Sequence, residues 1–443
     1  MGDLLGPDFP ADIGLAVSGG GDSMAMLTLA HNWTRAWGVR LWVVTVDHRL
    51  RPESADEAAM VARECAALGW PQATLRWHWD GTGNKMDAAR RGRLELIGAW
   101  RGALRHVLMA HTRDDVAETF LMRLARGSGV EGLSAMAAMR RVRPLVERAT
   151  PADYDGALPP RPVAPEDAAA RDGFDILRPC LDMKRAELRH YLRSLKGTWV
   201  EDPSNDDPGY DRVRMRRLLA LLEDEGLGAD SLAATAGRMA RARQALAARA
   251  RAVWHEIGHE GSDPVTGAGT GDILFDRDGF AATERDTQLR LLAAALQFIS
   301  GAEYRPRAAP LGSLLDRLLG GGGGTLHGVE ARVLRDRLHL FREYEAVRDL
   351  SSDPANGLWD GRWRVEAAED AAGLTIRALG DAGWAQLPGR PAGTAFAAAR
   401  PLPALWHGDR LLSCPPLGFG AARATLCPTG RPGLTLSAFL DSH

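Results

Sequence analysis

The sequence predicts an α/β fold in three parts: a parallel sheet flanked by helices, then a mostly helical domain, then a small β-rich C-terminal domain. Three observations predict it. Short apolar runs at Ile13 to Val17, Leu41 to Val46 and His106 to Ala110 alternate with stretches of helical spacing. Each run ends in polar or glycine residues, as strands do where they open into ligand-binding loops. The composition shifts twice, to arginine-studded helical patterning beyond about residue 218 and to Gly, Pro and short apolar runs beyond Ser351.

In order along the chain, Ile13 to Val17 leads through Gly19, Gly20 and Gly21 into a segment where Leu27, Ala30, Trp33 and Trp37 recur at helical spacing. This reads as strand, tight loop, helix. The second strand, Leu41 to Val46, ends at Asp47 and His48. The third, His106 to Ala110, ends at His111 before a helix around Asp114 to Leu124. Strands and helices in alternation form right-handed βαβ units on a Rossmann-like parallel sheet. A Pro, Ala and Asp-rich stretch between Thr150 and Gly173 reads as a solvated insertion, and the core pattern resumes at Ile176. A helix from Lys184 to Leu195 and an Asp-Pro-Ser-Asn turn at 202–205 lead to a first domain boundary near 217. The segment 218–345 is expected to be mostly helical, broken by Gly320 to Gly324 before a hairpin from Thr325 to Phe341. The segment 346–443 forms the small last domain, with strands at Trp363 to Val365 and Leu374 to Ile376.

Composition excludes several classes of function. None of the 443 residues lies in an apolar run long enough to span a bilayer, and Met1 to Pro10 has no signal-peptide pattern, so a cytoplasmic protein without membrane contact is expected. The four cysteines, Cys65, Cys180, Cys414 and Cys427, form no Cys-x-x-Cys, which argues against a disulfide framework, a zinc ribbon or a cysteine-held cluster. A net charge of -2 is neutral about nucleic acid, but its distribution is not. Residues 90–148 carry twelve arginines against six acids, residues 212–251 nine against four, and residues 349–381 three against seven. The two basic segments suit an RNA backbone, although solvated helix faces in an arginine-rich chain look similar.

Ser18-Gly19-Gly20-Gly21-Asp22-Ser23 lies between a strand and a helix N-terminus, where unpaired N–H groups and the helix dipole favour an anion. Phosphate is the natural guest, with the Ser18 and Ser23 hydroxyls as added donors. The loop has neither the Gly-Lys-Ser/Thr of a Walker loop nor Gly-x-Gly-x-x-Gly. No Gly-x-Ser-x-Gly elbow surrounds Ser23, which disfavours a serine hydrolase. Asp22 alone fits a helix cap as well as a metal or ATP ligand. Asp115 and Glu118, three apart on one helix face, fit a solvated helix start as well as a Mg²⁺ pair. His48 and His111 each follow a strand and fit a structural role at least as well as a general base.

The loop Ser18 to Ser23 matches completely the Ser-Gly-Gly-x-Asp-Ser signature of the PP-loop ATP pyrophosphatases, which the first domain resembles. Within that superfamily, Val46-Asp47-His48-Arg49-Leu50-Arg51-Pro52 with Ser54 and Glu57, and His111-Thr112-Arg113-Asp114-Asp115-Val116-Ala117-Glu118-Thr119, resemble the tRNA(Ile)-lysidine synthetases. Arg126-Gly127-Ser128-Gly129, Ala89-Arg90 with Arg93, Arg178-Pro179, Glu201 to Asn205 and the series Arg212, Arg214, Arg216 continue the likeness. It covers about residues 12–220. Leu94 stands in place of a tyrosine, and Val213 and Ala220 in place of the usual asparagine and proline.

The resemblance implies a PP-loop domain over 1–217, a tRNA-binding helical domain over 218–345 and a tRNA-contacting C-terminal domain over 346–443. It implies ATP bound by Ser18, Gly19, Gly20, Gly21, Asp22, Ser23, Asp47 and His48. Asp22, Asp115 and Glu118 become the catalytic candidates, with Mg²⁺ on Asp22 and Asp115. Arg90, Arg93, Arg126, Arg212, Arg214 and Arg216 become the tRNA contacts. The implied reaction adenylates the wobble cytidine of CAU-anticodon tRNA(Ile), and free L-lysine then displaces AMP. A cytidine thiolase of the same superfamily is the rival, weakened by the missing Cys-x-x-Cys. An amide-forming synthetase is less favoured because no amidotransferase half is visible, and a catalytically silent tRNA-binding protein because the whole loop is retained. A homodimer is left open.

Overall fold

The computed structural model describes residues 1–49, 53–79, 81–142, 173–201, 209, 211–302, 304–355, 358–367, 373–389, 391 and 394–442. The expected insertion between Thr150 and Gly173 and the turn at 202–205 therefore lie outside the described residues, apart from Gly173 itself.

Apolar residues that alternate between two faces build the first sheet. Its strands are β1 (Asp12–Ala16), β2 (Arg40–Asp47), β3 (Gln72–Arg76), β4 (His106–Met109), β5 (Met139–Val142) and β6 (Phe174–Leu177). They lie in the order β3-β2-β1-β4-β6-β5, all neighbouring pairs parallel except β5 against β6. Leu41 and Val43 of β2 enter one core with Ile13 and Leu15 of β1, Leu108 of β4 and Leu177 of β6. Trp42 and Val44 enter the other with Val107, Met109, Phe174 and Ile176. Helices Gly21–Trp37, Ser54–Leu68 and Arg185–Ser194 supply Met24, Leu27, Val61, Leu188 and Leu192 to the first core. Helix Lys85–Trp100 supplies Ile97 and Trp100 to the second. A sheet buried on both faces explains why its strands read as mostly apolar runs.

Strand order reverses between β1 and β4, because β1 continues to β2 on one side and β4 to β6 on the other. Their carboxyl ends diverge there and leave a crevice. The Ser18 loop follows β1 and the His111 motif follows β4, so the topology brings two polar motifs nearly a hundred residues apart to one place.

The chain forms two compact units, Met1–Arg243 and Gln244–His443. The boundary expected near 217 falls inside helix Asp211–Asp224, whose Leu219 packs with Ala117 and Leu121 in the first unit. The one near 345 separates two cores of the second unit but not two units. The last helix, Leu436–Ser442, returns Leu436, Phe439 and Leu440 to the core built on helices Arg285–Ser300 and Ala308–Leu319.

That core also carries a five-stranded antiparallel sheet in the order Gly258–Ser262, Gly269–Asp276, Arg337–Arg342, Val329–Leu334, Gly324–Leu326, more strand than the expected helical segment. The glycine run ends helix Ala308–Leu319 as expected, and the hairpin pairs Val329–Leu334 with Arg337–Arg342. The other core holds Trp359, Trp363 and Trp406 between a four-stranded sheet and the strand pair Trp363–Glu366 with Arg423–Leu426. Among the described residues, no helix is long and apolar enough to cross a membrane.

Phe439 is 1% exposed and meets Phe298 edge-on at 6.0 Å between ring centroids. Truncating such a side chain leaves a cavity in a close-packed core. Phe439→Ala is expected to cost the second unit about 3 kcal/mol, read as a lowered urea midpoint for that unit; an unchanged midpoint contradicts the docking of the last helix.

Candidate active site

The Ser18 loop turns sharply because Gly19 adopts φ +86°, a conformation that L side chains rarely take. The Ser23 hydroxyl closes the turn, donating to the Gly20 carbonyl at 2.9 Å and accepting from the Ser18 N–H at 3.2 Å. The Ser18 and Ser23 hydroxyl oxygens lie 3.2 Å apart. Helix Gly21–Trp37 begins at once, and its first intrahelical bond runs from the Met24 N–H to the Gly20 carbonyl. The N–H groups of Gly21, Asp22 and Ser23 precede that bond and form the positive end of the helix dipole. From behind, the Val200 N–H donates to the Gly19 carbonyl at 2.9 Å and holds the loop in register. The result is an anion cradle at the carboxyl end of β1.

On the next strand, Asp47 is buried and its Oδ1 accepts from the Arg49 N–H at 2.8 Å. His48 packs edge-on against Trp77 at 5.7 Å, and its Nδ1 is buried without a hydrogen-bond partner among the described residues. Burial, reinforced by the nearby Arg93, pushes the His48 pKa down to about 4. His111, at the end of β4, is likewise held well below the ordinary imidazole range by burial, despite the neighbouring Asp115. Both rings are neutral at pH 7, which fits hydrogen-bonding groups.

All three carboxylates expected to be catalytic converge, and one residue joins them. The Arg185 guanidinium bonds Asp22 Oδ2 at 3.1 Å through Nε, Glu118 Oε1 at 3.0 Å through Nη1 and Asp115 Oδ1 at 3.5 Å through Nη2. Glu118 is 0% exposed, and Arg216 adds a second cation at 2.9 Å to its Oε1. Thr112 donates its N–H and its hydroxyl to Asp115 Oδ2, at 2.8 and 2.9 Å, in a capping box. Burial raises the pKa of Asp22, with Arg185 opposing and Asp115 adding to the rise. Burial also works against the charge of Asp115, but Arg185, the Thr112 N–H and Arg212 outweigh it and hold that carboxyl below its usual range. The charge of Arg185 is disfavoured by burial and more than restored by Glu118, Asp115 and Asp22.

Arg185 is absent from the residues expected in the site, yet the sequence held a signal. Lys184 and Arg185 open a helix, where the dipole disfavours cations. A cation there needs carboxylates from elsewhere, and Asp114 supplies a further one by accepting the Arg185 N–H at 2.8 Å. Arg178 is the second omission. It is buried, donates to the Ala137 carbonyl at 2.6 Å, and burial with neighbouring Arg140, Arg90 and Arg93 pulls its pKa down to about 10.

The six arginines expected to contact RNA divide into three groups. Arg93 is brought down to about 10 by burial and by Arg90 and Arg212, and its field reaches His48 and His111, so these arginines crowd one side of the crevice. Arg216 faces Glu118 instead. Arg126 and Arg214 lie outside the crevice, exposed, and both pair with Asp211. Carboxylates gather around Arg185 and cations of like charge lie beside the two histidines, with Asp115 and Arg212 acting on His111 together. Among the described residues, no group of three or more His, Cys, Asp or Glu side chains is arranged to hold a metal by itself. Two buried carboxylate oxygens, Asp22 Oδ1 and Glu118 Oε2, have no hydrogen-bond partner among those residues.

A glycine-rich loop capping the first helix of a parallel sheet, with acids after the fourth strand at the switch point, defines a PP-loop nucleotide-binding protein. The PP-loop domain family pattern matches residues 2–222. The chain is 38% identical over 413 residues to the tRNA(Ile)-lysidine synthase of Ruegeria pomeroyi, covering 92% of this chain and 89% of that one. It is 39% identical over 352 residues to the enzyme of the same name from a Bradyrhizobium species, covering 77% of this chain and 90% of that one. This chain belongs to the tRNA(Ile)-lysidine synthase family. Among solved structures, a U34-tRNA thiolase from Methanococcus maripaludis overlaps with a TM-score of 0.40 at 15% identity, over 54% of this chain and 75% of that one, too loosely to bear on the reaction.

Two outcomes test the site's electrostatics. Arg185→Met leaves three carboxylates facing one another and is expected to cost about 3 kcal/mol of stability as well as turnover; unchanged thermal unfolding contradicts the bridge. Because His48 titrates lower in the fold than in the unfolded chain, the unfolded chain takes up the extra proton between about pH 6.5 and 4, and stability falls as pH drops through that window. His48→Gln should flatten the urea-midpoint profile there, and an equally steep profile in the variant contradicts the assignment.

Proposed function

We propose that this chain is the ATP-dependent ligase that joins free L-lysine to carbon-2 of the wobble cytidine in CAU-anticodon tRNA(Ile), with the site of the first unit as its catalytic centre. The observation that supports it best is the convergence of Asp22, Asp115 and Glu118 beside the anion loop, in a chain that aligns with the lysidine synthase of Ruegeria pomeroyi over nine-tenths of its length.

The chemistry divides into two displacements. The cytidine O2 attacks the α-phosphorus of ATP, the bond to the β-phosphate oxygen breaks, and pyrophosphate leaves. The lysine amine then attacks carbon-2, the carbon–oxygen bond breaks, AMP departs with the former O2, and the amine gives up its proton. The loop N–H groups and the Ser18 hydroxyl hold the phosphates, with the Ser23 hydroxyl fixing the turn through the Gly20 carbonyl, and preorganised donors of this kind stabilise the charge that develops on the leaving group. Asp47 and His48 line the neighbouring strand end for the nucleotide. The neutral imidazoles of His48 and His111 donate or accept hydrogen bonds without adding charge.

Mg²⁺ fits the acidic side. The unpaired oxygen of Asp22 suits one hard cation whose remaining positions phosphates and water fill, with Asp115 close by. When bound, it offsets charge on the triphosphate. The buried acids around Arg185 also suit the ammonium of an amino acid. On the cationic side, Arg90, Arg93 and Arg212 meet the RNA backbone at the crevice, while Arg126 and Arg214 extend that contact outward. The second unit adds further RNA contact, and a cytoplasmic setting suits these substrates.

Sustained pyrophosphate release over many turnovers should require both CAU-anticodon tRNA(Ile) and lysine, cease on chelation and return with Mg²⁺. Asp22→Ala should lower it by about a hundredfold or more. Release that proceeds with lysine and no tRNA, or that survives the substitution, overturns the assignment.

A further inference from the structure

Outside the crevice, the segment after β3 presents an aromatic ring in a fixed pose. Trp79 is 43% exposed, although its one polar atom is satisfied, the indole N–H donating to the Thr82 carbonyl at 3.2 Å. The Lys85 ammonium lies 5.3 Å from the ring centroid, within cation–π range. The backbone of Lys85 is set, because Asn84 caps helix Lys85–Trp100 by accepting from the Met86 and Asp87 N–H groups at 3.0 and 3.1 Å. Two local contacts therefore orient the indole and leave much of it in water. Core packing does not explain the ring, which belongs to neither apolar cluster of the first unit's sheet.

What lies beside it indicates what it meets. Met86, Arg90 and Arg93 sit at i, i+4 and i+7, hence on one face of the helix. Met86 is 50% exposed, and Arg93, about 10 Å further along the axis, reaches the electrostatic neighbourhood of His48 and His111. An apolar plate with a cation over it thus adjoins the N-terminus of a helix that carries a row of arginines. Stacked aromatic rings with flanking cations are how proteins hold unpaired nucleobases, while charged side chains track the phosphates between them.

We propose that Trp79 is a stacking platform for an unpaired base of the RNA loop that carries the target cytidine, with Lys85 at the adjoining phosphate. The assignment rests on the tRNA-modifying reading above and extends it to a residue outside the nucleotide site. The base stacks on the indole while its neighbour enters the crevice past Arg90 and Arg93. No covalent step is involved.

The test uses the full chain and anticodon stem-loop RNA. Trp79→Ala should lower kcat/KM for tRNA about tenfold, leaving KM for ATP and lysine unaltered. Trp79→Phe, which keeps an aromatic face, should recover most of the loss. In protein labelled with 5-fluorotryptophan, the fluorine-19 resonance missing from Trp79→Phe identifies Trp79. That resonance should shift with the stem-loop and stay in place with a duplex of the same stem. An unmoved resonance, or equal kcat/KM for wild type and Trp79→Ala, overturns the platform while lysine transfer by the wild type leaves the underlying reading intact. Absence of lysine transfer by the wild type overturns both. Broadening of the resonance with protein concentration alone assigns the ring to a protein contact and also overturns the proposal.

Discussion

Three acids cannot share a buried corner without a cation, and Arg185 is the cation that makes this corner possible. Its planar fork meets Asp22, Glu118 and Asp115 with three different nitrogens, a geometry that lysine cannot reproduce. The acids come from the start of the helix after β1 and the start of the helix after β4, so the guanidinium ties together the two walls of the switch-point crevice. Asp114 accepts the backbone N–H of the same residue and so holds the base of that tie. Like charges that would repel become a fixed site.

The rest of the crevice follows from separation of charge. The Ser18 loop offers backbone dipoles, the acids lie beside it, and Arg93 and Arg178, their pKa values brought down by burial and by neighbouring arginines, add cations near the histidines. A polyanion entering between them relieves the repulsion on one side, and a cation or ammonium answers the unpaired oxygens on the other. Preorganisation of this kind costs folding energy and returns it on binding.

Most of the first unit was legible because its strands are buried on both faces. Ile13 to Val17, Leu41 to Val46 and His106 to Ala110 are mostly apolar runs for that reason, and each appears as a strand within a residue or two. β3 escaped notice since Gln72, Thr74 and Arg76 point from its edge position to solvent or polar partners. The loop and its acids were readable from spacing and from family likeness. Arg185 was not, because its role depends on partners 67 to 163 residues away that only the sheet topology brings near. Composition likewise registers the local change at Ser351 but not the return of Phe439 to a distant core.

The same long reach gives the site a history during synthesis. Asp22 is made early and meets its arginine 163 residues later, and the loop itself is held from behind by Val200. A chain emerging from the ribosome carries a complete nucleotide motif well before it carries the groups that set its shape and charge. The anion loop therefore matures late, and a nascent fragment ending before residue 185 holds the motif without its electrostatic frame.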